Sequence, residues 1–313
     1  MEVINSVLAA YNKTPLTVVS DRILEAIDEI QHPQTLDVRH WMNHVLVTAL
    51  CFLSIFIFHK LIAVRVKKTY FLCHVFANSF ITYLTWNGSL RALMNPSSST
   101  IPLENAATSQ LYICWCMAIH VYHPIFFRTG QMDWIHHTPV YILNTLLMGC
   151  LTGDVFELQA IIMTGIPGGI DYFLLVLEGE GAMSRATYKS DSAYINNWFR
   201  APVGFLSGYI CLNGLYHAWG LDTTTNYQLF VFIFMGIHGL WNPPFFGRQT
   251  IEANVVDIVN RFDMKGDSKD RKNAISLGKI RDLSGRSRFG ALADAIEATR
   301  TGMEVAPMKR SKR

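Results

Sequence analysis

The sequence predicts an all-α, polytopic integral membrane protein of about seven transmembrane helices around a cytosol-facing cavity. Three observations predict it. Half of the 313 residues are hydrophobic and only 16% are charged, against about a quarter charged in a typical soluble domain. The apolar residues fall into seven blocks, at 42–63, 70–93, 110–127, 135–152, 155–177, 201–220 and 228–246. Most of these approach the ~20 residues a helix needs to cross a ~30 Å hydrocarbon core. Finally, Lys and Arg occupy alternate loops. Arg65, Lys67, Lys68, Arg128, Arg185, Lys189 and Arg200 lie in one set, and the loops near 94–109, 153–154 and 221–227 carry neither residue. The positive-inside rule then places the N-terminus in the lumen and the C-terminus in the cytosol.

The elements divide into a lumenal segment at 1–41, a transmembrane domain at 42–246 and a basic cytosolic tail at 247–313. The first 40 residues lack a basic start followed by an apolar core, so no cleavable leader is expected. Ser20 to Ile30 reads as a short amphipathic helix, with Ser20 as N-cap and Ile23, Leu24, Ile27 and Ile30 on one face. Asn12-Lys13-Thr14 is a glycosylation acceptor on the lumenal side. The fourth span is the shortest signal, because it reaches spanning length only when His136 and His137 are included. The fifth is broken by Ile166-Pro167-Gly168-Gly169, where a missing donor and a relaxed backbone predict a kink. Trp198 and Trp219 flank the sixth span, where interfacial aromatics belong. The tail has no apolar run, contains a short helical pattern at Phe289 to Thr299, and ends Lys309-Arg310-Ser311-Lys312-Arg313. It reads either as a solvated tail or as a binder of anionic headgroups. The six cysteines all fall within spans and form no C-x-x-C, which fits small packing residues.

Ionisable residues within spans carry the functional signal, since they are costly at membrane depth. At 1.5 Å per residue, His74, His120, His123, His136, His137, Asp171 and His238 all fall in the cytosolic leaflet. Only His44, Glu157 and His217 sit in or near the lumenal half. Each histidine alone reads as a core residue satisfied by a neighbour. Together they read as an imidazole-lined cavity open to the cytosol. Neutral imidazole serves as general base or nucleophile, and a carboxylate orients the ring and stabilises its cation. Asp133 is one helical turn from both His136 and His137. The two rings diverge by about 100°, so one can face the cavity while the other packs elsewhere.

Several classes fit poorly. A di-iron desaturase or hydroxylase needs more histidines in H-x-x-x-H and H-x-x-H-H boxes. Here His40 and His44 lie at the lumenal end, and Asp133 stands where a third histidine would be. A retinal protein needs a lysine in its seventh span, and 228–246 has none. No transporter-like internal repeat is visible.

The chain resembles the TLC-domain family, polytopic proteins of the endoplasmic reticulum and related membranes that include the ceramide synthases. The resemblance runs through Lys67-Lys68-Thr69-Tyr70 with His74 and Asn78, and through Asp133-Trp134-Ile135-His136-His137, similar to a D-x-x-x-H-H signature. It continues through Gly153 and Glu157 to Asn196-Asn197-Trp198-Phe199-Arg200. It implies His136, His137 and Asp133 as catalytic residues and adds Asn78 beside His74; with His120, His123, Asp171 and His238, which share their depth, these line the expected lipid-binding cavity. Membrane lipids and acyl-CoA are the implied partners, acyl-CoA as a substrate; no cofactor, metal or nucleic acid is expected, and no oligomeric state is specified. The chain departs from the ceramide synthase pattern at Val140, where those enzymes carry threonine, and lacks their following histidine-aspartate pair. Pro139 interrupts the run instead. Two functions stay open: an acyltransferase-like enzyme, and a non-catalytic lipid-binding or cargo-trafficking regulator.

Overall fold

The computed structural model describes residues 15–33, 37–96, 109–150, 153–219 and 225–263; the side chains of residues 15, 16, 18, 131–133, 136, 217, 218 and 258–263 lie outside that description. Asn12 and Phe289 to Thr299 therefore also lie outside the described residues. The described residues form ten α-helices and no strand. In chain order these are α1 (Pro15–Gln31), α2 (Val38–Leu61), α3 (Thr69–Met94), α4 (Leu111–Phe126), α5 (Gln131–Met148), α6 (Asp154–Ala160), α7 (Ile166–Glu180), α8 (Arg185–Ile195), α9 (Ala201–Ala218) and α10 (Asn226–Asp263).

Helix α1 begins at Pro15, five residues before the expected cap, and proline is tolerated in a first turn. Ser20 consequently sits inside the helix, its hydroxyl donating to the Thr17 carbonyl at 2.9 Å. The face turned inward is Ile23, Ala26, Ile27 and Ile30; Leu24 is exposed. Polar contacts pin α1 to α2: Arg22 donates to Asn43 at 2.7 Å, Asn43 donates to Glu29 at 2.6 Å, and Arg39 pairs with Glu25.

Asp37 caps α2 by accepting the His40 backbone N–H at 2.9 Å, satisfying one orphan donor of the first turn. Val47, Cys51 and Ile55 face inward. Val45, Leu53, Ile57 and Leu61 recur at helical spacing on the outside and are exposed. Such a contiguous apolar stripe is not left to water. Three stretches are long and apolar enough to cross a membrane: Val38–Arg65, Asp154–Glu180 and Asn226–Asp257. The other expected spans are helical too. However, α4 is apolar but has only 16 residues, and α3 is diluted by His74, Asn78, Thr85, Ser89 and Arg91. All six cysteines are buried and free.

The kink expected at Pro167 takes the form of a π-helical turn over Ile161–Gly165, immediately upstream. Proline has no N–H and its ring collides with the carbonyl four residues back. The helix accommodates this by inserting one residue, so that the Ile166 N–H bonds to the Ile161 carbonyl. The same device recurs at Asn196–Arg200, where the Ala201 N–H bonds to the Asn196 carbonyl just ahead of Pro202. Pro139 does not end its helix: α5 runs through it. Gly181, at φ +79°, ends α7 in the left-handed conformation that glycine tolerates.

Helices α9 and α10 cross at glycines. A Cβ on Gly208 would lie 2.8 Å from the Leu240 nitrogen and 2.9 Å from the Gly236 oxygen. Trp198 and Trp219, at the two ends of α9, are both exposed, and about 30 Å of helix separates them, close to a hydrocarbon thickness. Helix α10 does not stop at residue 246 but continues through Pro243 and Pro244 to Asp263, with α8 packed along it and Arg185 3.8 Å from Asp257. Two apolar clusters, one around Ile55, Ile81 and Tyr122 and one around Phe156, Ile161 and Met235, both draw residues from α3 and α4.

Candidate functional site: an imidazole nest

Four histidines from three helices meet in one buried group. His74 lies in the second turn of α3, His120 and His123 in the last turns of α4, and His137 in the second turn of α5. All four are 4% exposed or less. Antiparallel neighbours bring the start of one helix beside the end of the next, so residues far apart in sequence share a depth. The His123 Nδ1 and His137 Nε2 atoms are 2.8 Å apart and share a proton. Ring centroids of His120 and His137 lie 4.9 Å apart, and those of His74 and His123 5.8 Å apart.

Backbone carbonyls select the tautomers. His120 Nδ1 is 2.7 Å from the Cys116 carbonyl, and His74 Nδ1 is 3.3 Å from the Tyr70 carbonyl. A carbonyl only accepts, so in each ring Nδ1 carries the proton. In the neutral ring Nε2 then holds the lone pair and is the basic nitrogen. Aromatic neighbours hold the rings in place. Tyr70 stands 4.3 Å from His74 and 4.1 Å from His123, Tyr172 of α7 meets His74 at 4.7 Å, and the Tyr141 hydroxyl donates to the His120 carbonyl at 2.5 Å. Tyr70 and Tyr141 lie one turn from His74 and His137, a spacing visible in the sequence once the histidines are taken as a group. The side chains of Asp133 and His136 lie outside the described residues. Among the described residues, no group of three or more His, Cys, Asp or Glu side chains is placed to hold a metal.

The remaining expected residues divide between two other places. Asn78 is one turn beyond His74 on α3. Gly168 opens the space beside it: a Cβ there would lie 3.2 Å from Asn78 Nδ2 and 3.3 Å from an Arg200 guanidinium nitrogen. Asp171 lies on the same helix as Gly168, within reach of Ser192 and Arg200. Arg200 also donates to Asn196 at 2.7 Å. Burial, with the Asp171 carboxylate adding to it, pushes the Tyr188 phenol on α8 upward from its ordinary value. Asp171 therefore belongs to a polar group beside the nest, joined to it through its chain neighbour Tyr172. His238 does not join the imidazoles; it lines a separate cavity with Asn144 and Gln159.

At the opposite end His40 and His44 form a second buried pair, with ring centroids 4.7 Å apart. Gln110 organises it. Its Oε1 accepts from His40 at 3.2 Å and from His44 at 2.7 Å, and its Nε2 donates to the Cys150 carbonyl at 2.6 Å. The Gln110 backbone N–H donates to the Ile30 carbonyl at 3.0 Å. This network locks α1, α2, α4 and the end of α5 together. Nearby Glu157 is 4% exposed and faces Gly88, while Arg91 grips Asp154 through two bonds of 2.9 and 2.7 Å.

Comparisons with models of known protein families, with curated proteins and with solved structures return no match.

Proposed function

We propose that this chain is an integral membrane protein that handles membrane lipids, a divergent relation of the TLC-domain family, with the imidazole nest as its chemical centre. The single observation that carries the reading is the nest: four imidazoles from three helices, in direct ring contact within an apolar helical bundle. Polar groups of this cost are retained in membranes mainly for function. In this proposal seven spans cross an endoplasmic reticulum bilayer, the N-terminus is lumenal, and the nest opens to the cytosolic leaflet. The chemistry is acyl transfer. The Nε2 lone pair of a neutral nest histidine takes the proton from a lipid hydroxyl or amine as that group attacks an acyl thioester. The acyl group moves to the lipid and the thiol leaves with the proton. Asp133 and His136, next to His137 in the sequence, are assigned to the same chemistry by the D-x-x-x-H-H resemblance.

The non-catalytic alternative, a lipid-binding or trafficking regulator, draws on Val140 and on the fact that His74, His120, His123 and His137 already engage protein partners. Lipid profiling of cells expressing wild type and His136→Ala/His137→Ala separates the two. An enzyme loses a defined lipid product in the double variant at normal expression. A binder shows no turnover in wild type and retains lipid on purification.

A further inference from the structure

Away from the nest, a cavity of about 40 Å³ lies between α4, α5, α10 and the helix formed by α6 and its π turn. Most of its wall is apolar, including Leu143, Phe156, Met163 and Met235. Besides Tyr112, Cys116 and Thr164, whose hydroxyl donates to the Ala160 carbonyl at 2.7 Å, three polar side chains line it that are more than nine-tenths buried: Asn144 is 4% exposed, Gln159 1% and His238 6%. Among the described residues nothing accepts from Asn144 Nδ2, nothing donates to Gln159 Oε1, and nothing pairs with either ring nitrogen of His238. The other end of Gln159 is engaged, its Nε2 donating to the Met235 carbonyl at 3.0 Å. Its Oε1 and the Asn144 Nδ2 are left as an acceptor and a donor at the same small space. Leaving such groups unmatched is costly in any interior.

We infer that this cavity binds the hydroxyl group of a neutral alcohol with an apolar tail. Among the described residues no Asp, Glu, Lys or Arg lines the cavity, so a phosphate, carboxylate or ammonium would be desolvated there without a countercharge. A hydroxyl both donates and accepts. It donates to Gln159 Oε1 and accepts from Asn144 Nδ2 and from the ring N–H of His238. The volume suits a hydroxyl with its first carbons, since a single water needs about 10–15 Å³. Met163 and Met235, unbranched and adaptable, give the tail room. This site stands independently of the nest: the alcohol binds whether or not the nest histidines do chemistry.

The test uses the full chain in phosphatidylcholine nanodiscs and a long-chain 1-alkanol carrying a diazirine in its tail. Labelled peptides are located by mass spectrometry. Labelling is expected on α5, α10 and the π turn of the 154–180 helix. The unlabelled alkanol should displace it about tenfold better than the alkane or the carboxylic acid of equal length, the ratio expected from one well-made hydrogen bond. Asn144→Leu/His238→Leu should lower labelling by a similar factor without lowering thermal stability, because it removes polar atoms that lack partners in the fold. Equal displacement by alkane or acid, unchanged labelling in the double variant, or labelling absent from these helices would each overturn the inference; the last would mean that the polar atoms serve water alone. If the double variant does not fold, the wild-type competition decides by itself.

Discussion

Replacing Gly208 with alanine adds one methyl group where α9 crosses α10. Its carbon would stand 2.8 Å from the Leu240 nitrogen and 2.9 Å from the Gly236 oxygen and the Gly239 carbonyl carbon. All three are backbone atoms, so no side chain can rotate away. Gly239 faces back, its own Cβ position lying 2.7 Å from the Gly208 Cα. Bringing the closest of these contacts out to about 3.4 Å, the lower edge of ordinary van der Waals separation, requires α9 and α10 to part by roughly 0.6 Å along their crossing. Overpacking of this kind costs ~1–3 kcal/mol, with an unyielding backbone at the upper end. Alanine recovers ~1 kcal/mol of helix propensity, leaving a net loss of about 2 kcal/mol. Gly169→Ala is the control. Its Cβ would meet only the Asn78 Cβ, at 3.5 Å, so the propensity gain of ~1 kcal/mol should appear undiminished. Equilibrium unfolding in mixed micelles reads both. The expected result is opposite signs, separated by about 3 kcal/mol. A Gly208→Ala protein as stable as Gly169→Ala would mean that α9 and α10 do not cross at these glycines.

Two other predictions concern the end of the bundle opposite the nest. Gln110→Leu should cost ~2–5 kcal/mol in the same unfolding assay, because the His44 N–H and the Cys150 carbonyl each lose a buried partner; a change below about 0.5 kcal/mol would remove Gln110 from its organising role. The hydrogen bond from Arg22, helped by the charge of Arg39, holds the Glu25 carboxyl below its ordinary value. A depressed carboxylate contributes stability that is present above its unfolded pKa of 4.5 and lost as pH falls through the folded value. Amide exchange in α1 should therefore accelerate relative to α2 as pH falls below 4.5, after correction for intrinsic rates, and the effect should vanish in Glu25→Gln. Acceleration on the alkaline side instead would contradict the assignment.

The blocks of apolar residues were enough to locate every helix from α2 to α10 except α8, because a hydrophobic run has little alternative to a helix when its backbone must satisfy itself. Their edges were less legible. Ser20 carries the chemistry of a cap but is overtaken by a helix described from Pro15, and α10 outlasts its apolar block, with Arg248 and Glu252 paired at 2.6 Å one turn apart. The break at Pro167 was foreseeable, but its form was not, since a π turn depends on the register of carbonyls upstream. In the site, a count of residues per turn places His74, His120, His123 and His137 at one depth. Depth says nothing of azimuth, which is why His238 turns to a different cavity and Asp171 to Arg200. Gln110 and Asn144 were missed for a related reason: an uncharged amide in an apolar run gives no signal until its partners, on other helices, are known.

The most direct test of the imidazole nest as a chemical centre is a substitution that keeps the hydrogen bond between His123 and His137 and removes those two of its four titratable rings. His123→Asn/His137→Gln does this, because the asparagine amide takes the place of Nδ1 and the glutamine amide that of Nε2 across the 2.8 Å contact. Membrane lipids are profiled in cells expressing wild type, this pair, and His123→Ala/His137→Ala, with the melting temperature of each purified protein as a control for folding. The predicted result is that the Asn/Gln pair melts close to wild type yet loses the lipid change that wild type produces, a drop of at least ~10²-fold in rate where a general base is removed. A folded Asn/Gln protein with the wild-type lipid profile, alongside an alanine pair that fails to fold, would make the nest a structural clasp and contradict the account.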